Sequence, residues 1–98
     1  MALQYKKNKN EFIIYIRGEL DSEHGDKLIE LIKQYSSEFH KIIINMESVS
    51  YLNTEGLKGF INAFNLLKGK ESLVEKLQEN IREIFVKIGL LNKLPYSK

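Results

Sequence analysis

The chain has 98 residues, 43% of them hydrophobic, enough for one small domain with a core of ordinary size. Its formal net charge is +2, with 15 basic residues dispersed among 13 acidic ones, which argues against nucleic acid as the main partner. There is no cysteine, no early apolar run resembling a signal peptide and no run long enough to span a bilayer. A disulfide framework and a thiolate site are therefore excluded, and a soluble cytoplasmic protein is expected.

One proline, no low-complexity segment and no internal repeat leave no linker, so residues 1–98 read as a single domain. Leu3 to Lys7 fits a short edge strand, Asn8-Lys9-Asn10 a turn, and Phe12 to Ile16, β-branched and aromatic, a second strand that completes a hairpin. Lys6, Lys7 and Lys9 form a short basic cluster whose ordinary reading is a solvated strand edge and turn. Gly18 is expected to break the second strand.

Asp21 or Ser22 can cap the next helix, with Glu23 and Asp26 in its first turn. Leu28, Leu31, Ile32, Tyr35 and Phe39 recur at i, i+3, i+4, i+7 and i+11, which is one helical face. His24 and His40 have neither a Cys nor a second His at ligand spacing, so no metal is expected and both read as surface or boundary residues. Lys41 to Met46 is a nearly continuous apolar run, the mark of a strand buried on both faces in a sheet with crossover helices. Strand, helix and strand then make a right-handed βαβ unit.

Glu47 to Leu52 carries the chain to a hinge, Asn53-Thr54-Glu55-Gly56, with Val49 and Leu52 packing inward. The hinge places the Thr54 hydroxyl at a helix N-terminus, where free N–H groups and the helix dipole favour an anion. The same hydroxyl can serve simply as the cap. From Glu55 to Lys68 a second helix presents Leu57, Phe60, Ile61, Phe64 and Leu67 as its inward face. Glu55, Gly59, Asn62 and Leu66 share the opposite face. A helix-interior glycine beside an outward leucine suits a partner's close approach; the plainer reading is a neutral surface with one stray leucine.

Gly69 ends that helix. Beyond it Leu73, Val74, Leu77, Ile81, Ile84, Phe85 and Ile88 fall within one 120° arc, which by periodicity alone is a single helix from about Glu71 to Ile88. Gly89 stops it. Leu90, Leu91 and Leu94 are apolar, Pro95 confines any last strand to a sheet edge, and Tyr96-Ser97-Lys98 is expected to fray. No catalytic set is recognisable, the glycine turns lack phosphate-loop and dinucleotide patterns, and no cofactor is implied.

The hinge also carries a family resemblance. Asn45, Met46, Val49, Tyr51, Leu52, Thr54, Gly56 and Leu57 match, without a gap, the signature of the STAS domain, the fold of bacterial anti-sigma factor antagonists. Gly18-Glu19-Leu20-Asp21 resembles the family's early turn, and Gly89-Leu90 after Ile81 to Phe85 its last helix. The resemblance implies an α/β fold: a mixed sheet of four to five strands, an N-terminal hairpin, and helices at about 22–38, 55–68 and 79–88. It puts a short strand at Ser72 to Leu77, where periodicity puts helix, so that segment stays undecided.

By the same resemblance the protein is a non-enzymatic interaction module. It would bind a switch kinase or anti-sigma factor in the cytoplasm, with Thr54 in the place of the hydroxyl that the partner phosphorylates. Asn53, Glu55, Gly56, Gly59, Asn62 and Leu66 would make the partner surface. Two residues depart from the family: Asn53 stands where it has an acid, and Glu55 where it has a second hydroxyl. Glu55 sets a permanent negative charge beside any phosphate and raises its electrostatic cost. The alternative is a constitutive subunit that binds a small anionic ligand, nucleotide or lipid, on the N–H groups of Gly56 and Leu57.

Overall fold

The computed structural model describes residues 3–90 and 96–97. A five-stranded sheet runs in sequence order: β1 (Gln4–Lys7), β2 (Glu11–Leu20), β3 (Lys41–Leu52), β4 (Glu71–Glu75) and β5 (Tyr96–Ser97). β1 and β2 form the antiparallel hairpin, and every later pairing is parallel. The connections are α1 (Ser22–Tyr35) with a short 3-10 turn at Ser36–Glu38, α2 (Thr54–Asn65) and α3 (Glu79–Lys87). Neighbouring parallel strands joined by right-handed crossovers that advance in one direction place successive helices on one side of the sheet. The packing agrees. Phe12 of β2 meets Tyr35 of α1, Gly25 of α1 meets Gly59 of α2, and Phe60 of α2 meets Phe85 of α3 with ring centroids 5.4 Å apart.

Strand alternation builds the core. Phe12, Ile14, Ile16, Ile42, Ile44, Met46 and Val74 point into the helical layer and are at most 1% exposed. Ile43 and Asn45 face the other way and are still only 7% and 8% exposed. Ile13 and Leu73 stand in register on either side of Ile43, and Asn45 Nδ2 lies 3.3 Å from Glu75 Oε1. So β3 is shielded on both faces as its apolar run implies, but by a helical layer on one face and by its strand neighbours on the other.

Several expectations are corrected. Gly18 does not end β2. At φ +77° it sits where the register against β3 shifts, and the strand continues to Leu20, because glycine accommodates the bulge. The segment left open between strand and helix is a strand, Glu71–Glu75, paired along Lys41–Asn45 as the family resemblance implies, and not the start of a long helix. Sheet pairing overrides local helix propensity there, and Lys76 at φ +59° breaks the backbone before α3 begins. Tyr96 and Ser97, expected to fray, register against Val74 and Glu75 at the sheet edge. The apolar Leu91 and Leu94 and the edge-limiting Pro95 lie outside the described residues.

Helix α2 is rotated from the expected orientation. Its buried residues are Gly56, Phe60 and Ala63, while Leu57, Ile61 and Phe64 are only half-buried along one flank. Small residues face inward because α2 lies too close to its neighbours for larger ones. His24, expected near the surface, is 1% exposed in the first turn of α1.

Candidate functional site

The hinge is built by the ends of two parallel strands. Leu20 and Leu52 are the last paired residues of β2 and β3, and the next residue, Asn53, donates its N–H to the Leu20 carbonyl at 3.2 Å. Asn53 is extended, and its Oδ1 accepts the Gly56 N–H at 2.8 Å, while its carbonyl accepts the Leu57 N–H at 2.9 Å. Asn53, not Thr54, is therefore the N-cap of α2. Asp21 does the same for α1: its Oδ1 accepts the His24 N–H at 3.0 Å. That hydrogen bond holds the Asp21 carboxyl below the usual carboxylate range. His24 Nδ1 lies 3.1 Å from the same oxygen. Two capped helix N-termini thus stand side by side at the carboxyl ends of the parallel strands, the region where open α/β sheets present their functional groups.

Gly56 locks them together. A Cβ at Gly56 would fall 1.8 Å from the Leu20 carbonyl oxygen and 2.8 Å from the Asp21 nitrogen. Only glycine lets the first turn of α2 press on the junction between β2 and α1.

Thr54 occupies the first position of α2 and is exposed, and its hydroxyl has no partner among the described residues. It stands at the positive end of the helix with its oxygen free. Glu55, also exposed, lies 3.7 Å from Lys58 Nζ. Its negative charge is therefore partly offset, and Lys58, four residues beyond Thr54, can face a group attached there.

The expected site residues separate into two sets. Asn53, Thr54, Glu55, Asn62 and Leu66 are exposed, Leu66 at 46%. Gly56 is buried, and Gly59 is turned toward α1, where a Cβ would lie 2.8 Å from the Gly25 Cα. The close backbone approach expected of Gly59 exists, but it is made inside the chain: Gly56 shapes the site from beneath, and Gly59, half-buried, spaces α2 from α1. The ligand-binding alternative loses its donors, since the N–H groups of Gly56 and Leu57 are both taken by Asn53. Sequence reasoning missed the apolar flank formed by Leu57, Ile61 and Phe64. The signal was present in the small residues Gly25, Gly56, Gly59 and Ala63, whose spacing marks the close faces of two helices.

Fold and site together define a class: a small α/β domain with one helical layer, whose distinctive chemistry is a free hydroxyl at a capped helix start. The STAS domain family model matches residues 2–98, and the chain belongs to that family. It is 29% identical over 94 residues to the anti-sigma-B factor antagonist of Bacillus subtilis, covering 94% of this chain and 86% of that protein. The structure of the Bacillus anti-sigma factor antagonist SpoIIAA superposes with a TM-score of 0.78 for the unphosphorylated form and 0.74 for the phosphorylated form. Identity is 19% in each, and coverage is 99% of this chain, with 89% and 92% of those chains. A sulfate transporter family protein from Wolinella succinogenes shares the fold as well, with a TM-score of 0.79 at 13% identity, over 91% of this chain and 75% of that one. Among the described residues no helix is long and apolar enough to cross a membrane.

Proposed function

We propose that this chain is a cytoplasmic anti-sigma factor antagonist, a protein-interaction module that binds a switch kinase or anti-sigma factor and is released by phosphorylation of Thr54. The observation that carries this reading is the division of labour at the hinge. Asn53 caps α2, which frees the Thr54 hydroxyl at an exposed helix start. A phosphate there adds a charge of about −1.5 to −2 at neutral pH and is stabilised by the helix dipole, so the fold tolerates it. At an interface the same group brings bulk and repulsion, so one modification abolishes binding and leaves the domain intact. Lys58, now balancing Glu55, can turn to the phosphate and relieve part of the charge that Glu55 imposes.

Partner contact falls on Asn53, Thr54, Glu55, Asn62 and Leu66, the exposed members of the expected surface. The decisive measurement is the intact mass of the protein purified from its own host, beside Thr54→Ala. A phosphate on the wild type that is absent from the variant is expected. Its absence under every growth condition would remove the phosphorylation switch and leave a constitutive binding subunit. For the surface, Leu66→Lys should keep the melting temperature and lose the kinase partner; retained binding would exclude that face.

A further inference from the structure

On the flank of α2 away from Leu66 lies a half-open groove of about 1170 Å³, whose apolar lining the proposed switch does not use. It runs from Thr54 at one end to Lys41 and Lys70 at the other, along the 12 residues of the helix, a length of about 18 Å. Leu57, Ile61 and Phe64 line it from α2, and Leu67, Ile88 and Leu90 complete its apolar lining. The three residues of α2 are spaced i, i+4 and i+7 and only half-buried, while Ile88 is 48% exposed. One side of each packs against the core, to which α2 gives Phe60 and Ala63, and the other side is left to the groove.

The rim is basic. Among the described residues Lys41, Lys58, Lys68 and Lys70 lie along the groove against one carboxylate, Glu71. Lys70 is held by the carbonyls of Ser36 and Phe39, Lys41 lies 3.9 Å from both Glu11 and Glu71, and Lys58 is balanced by exposed Glu55. Lys68 is exposed. An apolar floor bordered by exposed Lys68 and by Lys58, whose pairing with Glu55 is open to solvent, is complementary to an occupant that is apolar on one side and acidic at its borders. Small-molecule sites enclose most of their ligand's surface, whereas this groove is open along its length and has the dimensions of a helix seat.

We propose that this groove receives an amphipathic, net-acidic helix of a protein partner, with Leu57, Ile61 and Phe64 as its apolar contacts and Lys58 and Lys68 as its charged border. The proposal rests on the reading of this chain as a protein-interaction module, but it does not depend on phosphorylation of Thr54.

The test is selection from a displayed library of helical peptides about four turns long, followed by NMR titration of the full chain with the selected peptide. Enriched sequences should carry apolar residues at i, i+3, i+4 and i+7 with glutamate or aspartate beside them. Their saturable shifts should fall on Leu57, Ile61, Phe64 and Ile88. The double variant Lys58→Glu/Lys68→Glu, which changes only exposed positions, should weaken binding by about tenfold or more, whereas Lys33→Glu, a charge reversal at an exposed position of α1 outside the groove, should bind as the wild type does. Absence of enrichment, enrichment of basic peptides, or unchanged affinity in the double variant would overturn the proposal. So would palmitate saturating the groove where no peptide does. Because the selection uses unphosphorylated protein, a failed phosphorylation test leaves this result standing, and a failed peptide selection leaves the Thr54 switch untouched.

Discussion

Gly59 and Gly25 meet backbone to backbone, and a methyl group on Gly59 would lie 2.8 Å from the Gly25 Cα. This contact sets the distance between α1 and α2 and, with it, the rotation of α2. Alanine in a helix interior is ordinarily favoured over glycine by about 1 kcal/mol. Here the sign should reverse. Gly59→Ala is expected to destabilise the domain by about 1–3 kcal/mol through overpacking, read as a lower urea midpoint at unchanged slope. Gly56→Ala, whose Cβ would meet the Leu20 carbonyl at 1.8 Å, should cost more still. A stabilised Gly59→Ala would mean that the helices do not touch here.

The capping assignment separates the two residues of the hinge. Asn53→Ala should cost about 1 kcal/mol of stability by leaving the Gly56 N–H without its acceptor. Thr54→Ala should leave the melting temperature nearly unchanged, since its hydroxyl bonds nothing among the described residues. If chemical denaturation ranked the two variants the other way, Thr54 would be the cap and its oxygen would not be free.

Acid should expose the cap of α1. Asp21 is depressed in the folded state by the His24 N–H, so its contribution is fully present above the unfolded carboxylate value, about 3.9. It is lost as pH falls through the folded value below that. Asparagine caps a helix about as well but does not titrate. Thermal melts of wild type and Asp21→Asn should therefore differ by a small, pH-independent amount above about pH 5, and the wild type should lose stability relative to the variant below about pH 4. A constant offset down to pH 2 would show that Asp21 is not depressed.

Lys70 ties the 3-10 turn to the start of β4. Its ammonium group donates to the carbonyls of Ser36 and Phe39. Lys70→Met keeps most of the stem and removes both donors, and should cost on the order of 1–3 kcal/mol. Amide hydrogen exchange should rise first at residues 36–41. Unchanged exchange there would show the two bonds to be incidental.

Much of this molecule is legible in its residue order. The hairpin, the βαβ unit and the first two helices follow from alternation, helical periodicity and caps, because these patterns report which side of an element is dry, whereas the start of the third helix came only from the family resemblance. Asn53-Thr54-Glu55-Gly56 stands out as a strand-to-helix turn on the same grounds. Glu71–Glu75 was not readable from its own residues. Its apolar positions suit a helix, and only the free edge of β3 makes it a strand.

The sequence by itself determined the α/β class, the STAS signature and the hydroxyl at the hinge, since each depends on neighbours close in the chain. Tertiary structure decided the rest. It turned α2 so that Gly56 and Ala63 face inward and Leu57, Ile61 and Phe64 line a groove. It gave the capping role to Asn53 and freed Thr54. The physical reason is the same in each case. How closely two backbones approach, and which donor reaches which acceptor, depends on groups far apart in sequence, and no local pattern encodes that distance.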